Sequence, residues 1–176
     1  MSLAGRRTSK LHHFCNVSRR MKAELLDEST VQLFTYGAAS ALLKVDIAGI
    51  ACWTLRGPLT AKVVACARHD FAAYLERRSV LAVVVRLEQA AILLPITDIV
   101  TCRLADTPPV LRSIPAALVV SPAHMESLKQ YAQAMAEHGI MRRVFTDPAQ
   151  ALGWATAKGL ALLPFPPELP CFQETQ

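Results

Sequence analysis

The chain has no C-x-x-C pair, no unbroken apolar run of membrane-spanning length and no acidic residue in its first 22 positions. Each absence excludes something. Five cysteines (Cys15, Cys52, Cys66, Cys102 and Cys171) stand at irregular spacing, which argues against a disulfide framework and for a reducing cytoplasm. The longest apolar candidate, Val80 to Val100, is interrupted by Arg86, Glu88, Pro95 and Asp98. A membrane span needs roughly 20 nearly uninterrupted apolar residues, so none is expected. Also missing are G-x-G-x-x-G, a P-loop, a G-x-S-x-G elbow and a carboxylate pair at strand ends. Motif alone assigns no catalytic residue, metal ligand or cofactor.

The acid-free start accounts for the basicity of the whole. Arg6, Arg7, Lys10, Arg19, Arg20 and Lys22 supply six of the 19 Lys and Arg, leaving 13 against 14 Asp and Glu in the remainder. The net charge of +5 is therefore a property of a tail, and the body is close to neutral. A nucleic-acid binder spreads basic residues over a structured face and interleaves aromatics, so this distribution argues against one. Three readings of residues 1–22 stand side by side: a disordered arm, an Arg-rich targeting peptide, or a stretch upstream of a true start at Met21. Residues 23–160 read as one α/β domain and residues 161–176 as a Pro-rich extended tail.

With 176 residues and 52% hydrophobic content, the chain is long enough for a substantial core. Ser29 to Tyr36 alternates as a strand ended by Gly37; residues 41–47 are an ambiguous edge strand that could pair with it as a hairpin. Gly49 to Arg56 is a further strand, stopped by Gly57-Pro58. Thr60 caps a helix whose apolar face is Val64, Ala67, Phe71, Tyr74 and Leu75, at three-and-four spacing. Val80 to Leu87 is a continuous β-branched run, the pattern of a central strand buried on both faces. Beyond that strand, Thr97–Leu104 could form a short helix, ended by Pro108-Pro109. Pro115 to Val120 is another buried strand. Ser121-Pro122 opens a helix with a Met125, Leu128, Ala132, Met135 stripe, closed by Gly139. Val144 and Phe145 anchor the last strand. Asp147 and Gln150 have the spacing of a capping box for a last helix, buried by Leu152 and Ala155, with Trp154 at its margin and Gly159 as its stop.

An antiparallel start succeeded by strand–helix units predicts a mostly parallel sheet of about 4–6 strands with helices packed on it. The stretch Gly139-Ile140-Met141-Arg142-Arg143-Val144-Phe145-Thr146-Asp147, with Ala151-Leu152-Gly153-Trp154, resembles the end of STAS-like domains. Gly57-Pro58-Leu59-Thr60 is similar to their G-x-L-T turn. The resemblance covers roughly residues 29–158 and points to a small stand-alone bacterial branch of that family, which includes the anti-sigma-factor antagonists. It implies a STAS-like α/β sandwich used for protein interaction or regulation. Phosphorylated antagonists carry an Asp-Ser-[Ser/Thr]-Gly turn after the central strand. Here Glu88-Gln89-Ala90-Ala91 stands there instead, which argues against a serine–kinase switch.

The remaining polar clusters carry little. His12, His13 and Cys15 are too few for a structural zinc site. His69 and Asp70 are adjacent on a helix and point about 100° apart. Arg142-Arg143 reads as a solvated strand entry. Candidate interaction or ligand residues lie beyond the central strand: Arg86, Glu88, Gln89, Thr97 and Asp98, beside apolar Ala91 to Leu94. Two functions result, neither enzymatic. One is a module that docks an unidentified protein partner or a second copy as a homodimer; the alternative is a binder or carrier of a small apolar, lipid-like molecule.

Overall fold

The computed structural model describes residues 30–94 and 107–163. Its elements are β1 (Thr30–Tyr36), β2 (Ala39–Val45), β3 (Ile50–Leu59), α1 (Ala61–Leu75), β4 (Ala82–Ile92), α2 (Pro109–Ser113), β5 (Ala116–Val119), a 3-10 turn (Pro122–His124), α3 (Met125–Glu137), β6 (Arg142–Phe145) and α4 (Pro148–Leu160). The strands form a single six-stranded mixed sheet in sequence order. The pairs β1–β2 and β2–β3 are antiparallel; β3–β4, β4–β5 and β5–β6 are parallel. Among the described residues no helix is long and apolar enough to cross a membrane.

The order of the strands is set by the connections. Gly37, at φ +65°, lets β1 turn directly into β2 as a hairpin. From β3 onward each parallel partner is reached over a helix, as parallel pairing requires. The segment 41–47, read as an edge strand, falls in interior strand β2 as far as Val45; β1 is the edge, because β3 pairs with the far side of β2.

The helices divide between the two faces. Ala67, Phe71 and Leu75 of α1 pack with Phe34, Leu43, Trp53 and Leu55 on one face, where α2 adds Leu111. Leu128 of α3 joins Leu118 and Val120 on the same face. On the opposite face α4 lies alone, its Ala151 and Ala155 against Ile50, Ala82, Val84, Ala117 and Val119.

Several boundaries depart from expectation for identifiable reasons. Gly57-Pro58 does not stop β3. A bulge between Thr54 and Arg56 shifts the register, and pairing resumes as Gly57↔Ala90, Pro58↔Ala91 and Leu59↔Ile92. For the same reason β4 runs on to Ile92, so Glu88 and Gln89 lie inside the strand rather than after it. Pro108-Pro109 opens a helix, with Pro109 at the first position of α2. Ser121 makes no side-chain cap: its carbonyl accepts from His124 N–H at 3.0 Å, and a 3-10 turn precedes α3. Leu152 is exposed and Gly159 is buried within α4. The small series Ala151, Ala155, Gly159 is the packed face, since a Cβ on Gly159 would stand 3.0 Å from Leu81 Cβ.

Thr60 and Asp147 cap their helices and Gly139 ends one, although Asp147 bonds to Ala149 rather than to Gln150. Thr60 accepts from Val63 N–H at 3.4 Å and Asp147 from Ala149 N–H at 2.8 Å. Gly139 ends its helix at φ +71°. The proposed helix at Thr97–Leu104 and both tails, residues 1–22 and 164–176, lie outside the described residues.

Candidate functional site

The strand register sets which residues face the cavity above the sheet. On the face carrying α1 and α3, one cross-strand row runs Trp53, Val85, Leu118, Val144; the next runs Ala51, Val83, Ala116, Arg142. The second row is built from short side chains until it reaches Arg142. Both rows line the cavity, the first through Trp53, Val85 and Leu118 and the second through Val83, Ala116 and Arg142. Its volume is about 130 Å³, and it lies between α1, α2, α3 and the sheet.

Its lining is largely apolar: Leu55, Phe71, Val85, Leu118, Leu128 and Met135 are representative, and Ile92 and Leu94 reach it from the end of β4. An apolar cavity of about 150 Å³ is known to stay dry and admit a benzene-sized guest, so this one is in the range of a small ligand. Trp53 lines it and stacks on Phe71, with centroids 4.5 Å apart and planes at 19°. The Trp53 Nε1–H is buried without a hydrogen-bond acceptor, and the buried Tyr74 hydroxyl likewise has no partner. Such a group costs on the order of 1–3 kcal/mol.

The polar part of the lining is confined to Arg68, Thr107, Tyr131 and Arg142, and among the described residues no carboxylate contributes. These groups gather at α2. Before its first turn, buried Thr107 accepts from Arg68 Nη2 through its hydroxyl and from Arg112 Nε through its carbonyl at 3.0 Å. At its far end Arg142 Nη1 donates to Ile114 O at 2.7 Å and to Met141 O at 2.8 Å, while Nη2 donates to Leu111 O. Helix carbonyls left without intrahelical donors are natural partners for a cation.

Arg142 is thus no solvated strand entry. Two positions before inward-facing Val144, it shares that residue's side of β6, and period-two alternation sends it inward. That is the sequence signal for it. Burial pulls its pKa below the ordinary arginine value, and the neighbouring Tyr131 phenol acts in the opposite direction through charge and hydrogen bonding. Arg143, one position on, is exposed instead and lies over the Phe145 ring at 5.4 Å on the α4 side.

The residues expected at a site fall elsewhere. Arg86 and Glu88 form a bidentate pair, Nε to Oε2 and Nη2 to Oε1, each at 3.0 Å. They lie on the face opposite the cavity, since Val85 and Leu87 between and beside them line it. Gln89 is exposed beside the bulge, across from Arg56. Thr97 and Asp98 lie outside the described residues. His69 and Asp70 do not act as a pair either: Asp70 Oδ2 accepts from the Tyr36 hydroxyl at 2.9 Å, tying α1 to β1. Among the described residues no group of three or more His, Cys, Asp or Glu is placed to hold a metal ion. The chain matches no protein-family model and no characterised protein. What it does must therefore be argued from the cavity.

Proposed function

We propose that this chain is a cytoplasmic, non-enzymatic binder of a small apolar molecule, built on a STAS-like scaffold. The observation that carries the reading is the apolar cavity of about 130 Å³ under α1, α2 and α3. The space is partly open at the surface, and its largely apolar walls favour an apolar occupant over water. The STAS-like assignment is supported by the order of elements, in which Gly57-Pro58-Leu59 ends β3 and Thr60 caps α1 directly after it.

The test is native mass spectrometry of the full chain, purified without detergent and then titrated with 1-octanol as an apolar probe. Retained mass beyond the polypeptide, or saturable one-to-one uptake of the probe, is the expected result. A bare mass together with no uptake would remove the carrier reading and return the docking module, or its homodimer, to first place.

A further inference from the structure

The two edges of the sheet are built differently. β6 is four residues long and begins with Arg142 and Arg143. A short, charged edge resists pairing with another chain. β1 has none of these devices. Its seven residues, Thr-Val-Gln-Leu-Phe-Thr-Tyr, include no charge, no proline and no glycine. Its register against β2 runs from Thr30↔Val45 to Tyr36↔Ala39 without a bulge. Among the described residues no strand pairs with its outer side.

The turn decides which backbone groups point outward. Gly37-Ala38 is a two-residue hairpin loop, so Tyr36↔Ala39 is a hydrogen-bonded pair, and the pairing alternates from there. Gln32, Phe34 and Tyr36 therefore direct their N–H and C=O groups at β2. Those of Val31, Leu33 and Thr35 point away from it. The same three residues lie on the face that α1 leaves open, where Leu33 is 39% exposed.

We propose that β1 pairs with β1 of a second copy of this chain, antiparallel about a twofold axis at Leu33, so that one sheet runs through a homodimer. In that register Leu33 meets the partner's Leu33, and Val31 meets the partner's Thr35. Every pair joins residues of one face, and outward donors meet outward acceptors, exchanging about six main-chain hydrogen bonds. Charges on a strand that meets itself would gather near their like across the axis, and β1 carries none. The chain's own ends are poor substitutes for a second copy. Residues 1–29 hold only Phe14 and Val17 as apolar β-branched or aromatic residues. Residues 164–176 hold Pro164, Pro166, Pro167 and Pro170, which donate nothing to a ladder. β1 does not line the cavity, so this contact stands independently of the carrier reading.

Sedimentation equilibrium of the full chain over a concentration series tests the pairing. The mass should rise with concentration to twice that of the chain. Leu33→Lys sets two ammonium groups together at the axis and should weaken the dimer at least about tenfold. Thr35→Pro is the second variant. It removes an outward N–H from each copy, leaves the ladder to β2 intact as edge prolines do, and should weaken the dimer to a similar extent. Circular dichroism checks that each variant is folded. A wild-type chain that stays monomeric at every concentration would leave this edge to another occupant and overturn the proposal. A dimer that persists undiminished in either folded variant would place the contact elsewhere and overturn it too.

Discussion

The two halves of the sheet obey different rules. Among the described residues, β1, β2 and most of β3 up to Arg56 are covered on one face; Ile50, at the start of β3, already lies under α4. Phe34, Ala41, Leu43, Ala51, Trp53 and Leu55 are buried beneath α1, while Leu33, Lys44 and Arg56 of the opposite face are exposed. In β4 and β5 both faces are covered: Ala82, Val83 and Val84, and all four residues of β5, are buried. The difference is α4, which roofs the second half and the start of β3. An antiparallel hairpin sheet can leave a face in water; parallel strands are reached by helices, which cover both sides. A single cross-strand row displays the change, from Lys44 through half-buried Cys52 to buried Val84 and Ala117.

That row offers the largest effect. Val84→Lys puts an unpaired charge under α4, where Val84 is 3% exposed, and should cost about 4 kcal/mol or more in urea unfolding. Lys44→Val, on the same row and face, should change stability by no more than about 0.5 kcal/mol. Comparable costs at the two positions would abolish the distinction between the halves. A second contrast separates backbone conformation from space. Gly57 and Gly139 both have positive φ, but a Cβ on Gly57 would stand 2.5 Å from the Ala38 carbonyl oxygen, whereas one on Gly139 meets nothing within 4 Å. Gly139→Ala should cost about 1 kcal/mol, the left-handed penalty alone, and Gly57→Ala about 3 kcal/mol. If the two were equal, the close approach of the β1–β2 turn to the bulge would have no energetic weight.

The same division explains what can be read from the chain. A continuous β-branched run announces β4, a short apolar run announces β5, and alternation announces β1, because each pattern is a direct imprint of how many faces are covered. The far end of β4 is illegible. Glu88 to Ala91 is polar and small, and its strand conformation comes from pairing with β3 beyond a bulge, a long-range event with no local mark. The cavity is illegible for a related reason: Leu55 or Leu128 beside a void has the same sequence signature as either would in filled core. Arg142 alone is open to discovery from sequence, as a charge on an inward position of a strand. Arg86, Glu88 and Gln89 stand out as polar residues beside an apolar run, yet the register carries the first two to the other face.

The smallest effect lies at the seam between the halves. Arg86 sits on the row Leu42, Thr54, Arg86, Val119, one strand short of the roof that α4 provides, and pairs with Glu88 two residues along. The Arg86 hydrogen bonds hold the Glu88 carboxyl below its ordinary value, against a smaller opposing effect of burial. A carboxyl whose pKa falls on folding stabilises the fold above its unfolded value, near 4.5, and loses that contribution as pH drops through the folded value. With the Arg86 side chain 40% exposed and Glu88 27%, solvent screens the pair, and its contribution is about 0.5 kcal/mol. Glu88→Gln should therefore lower stability by about that much at neutral pH and low salt. The gap to wild type should close toward pH 3 and shrink in about 0.5 M salt. A gap that persisted undiminished in acid would mean that Glu88 acts by packing at the edge of the roof. The seam would then be drawn by shape, and the charge pair would be incidental to it.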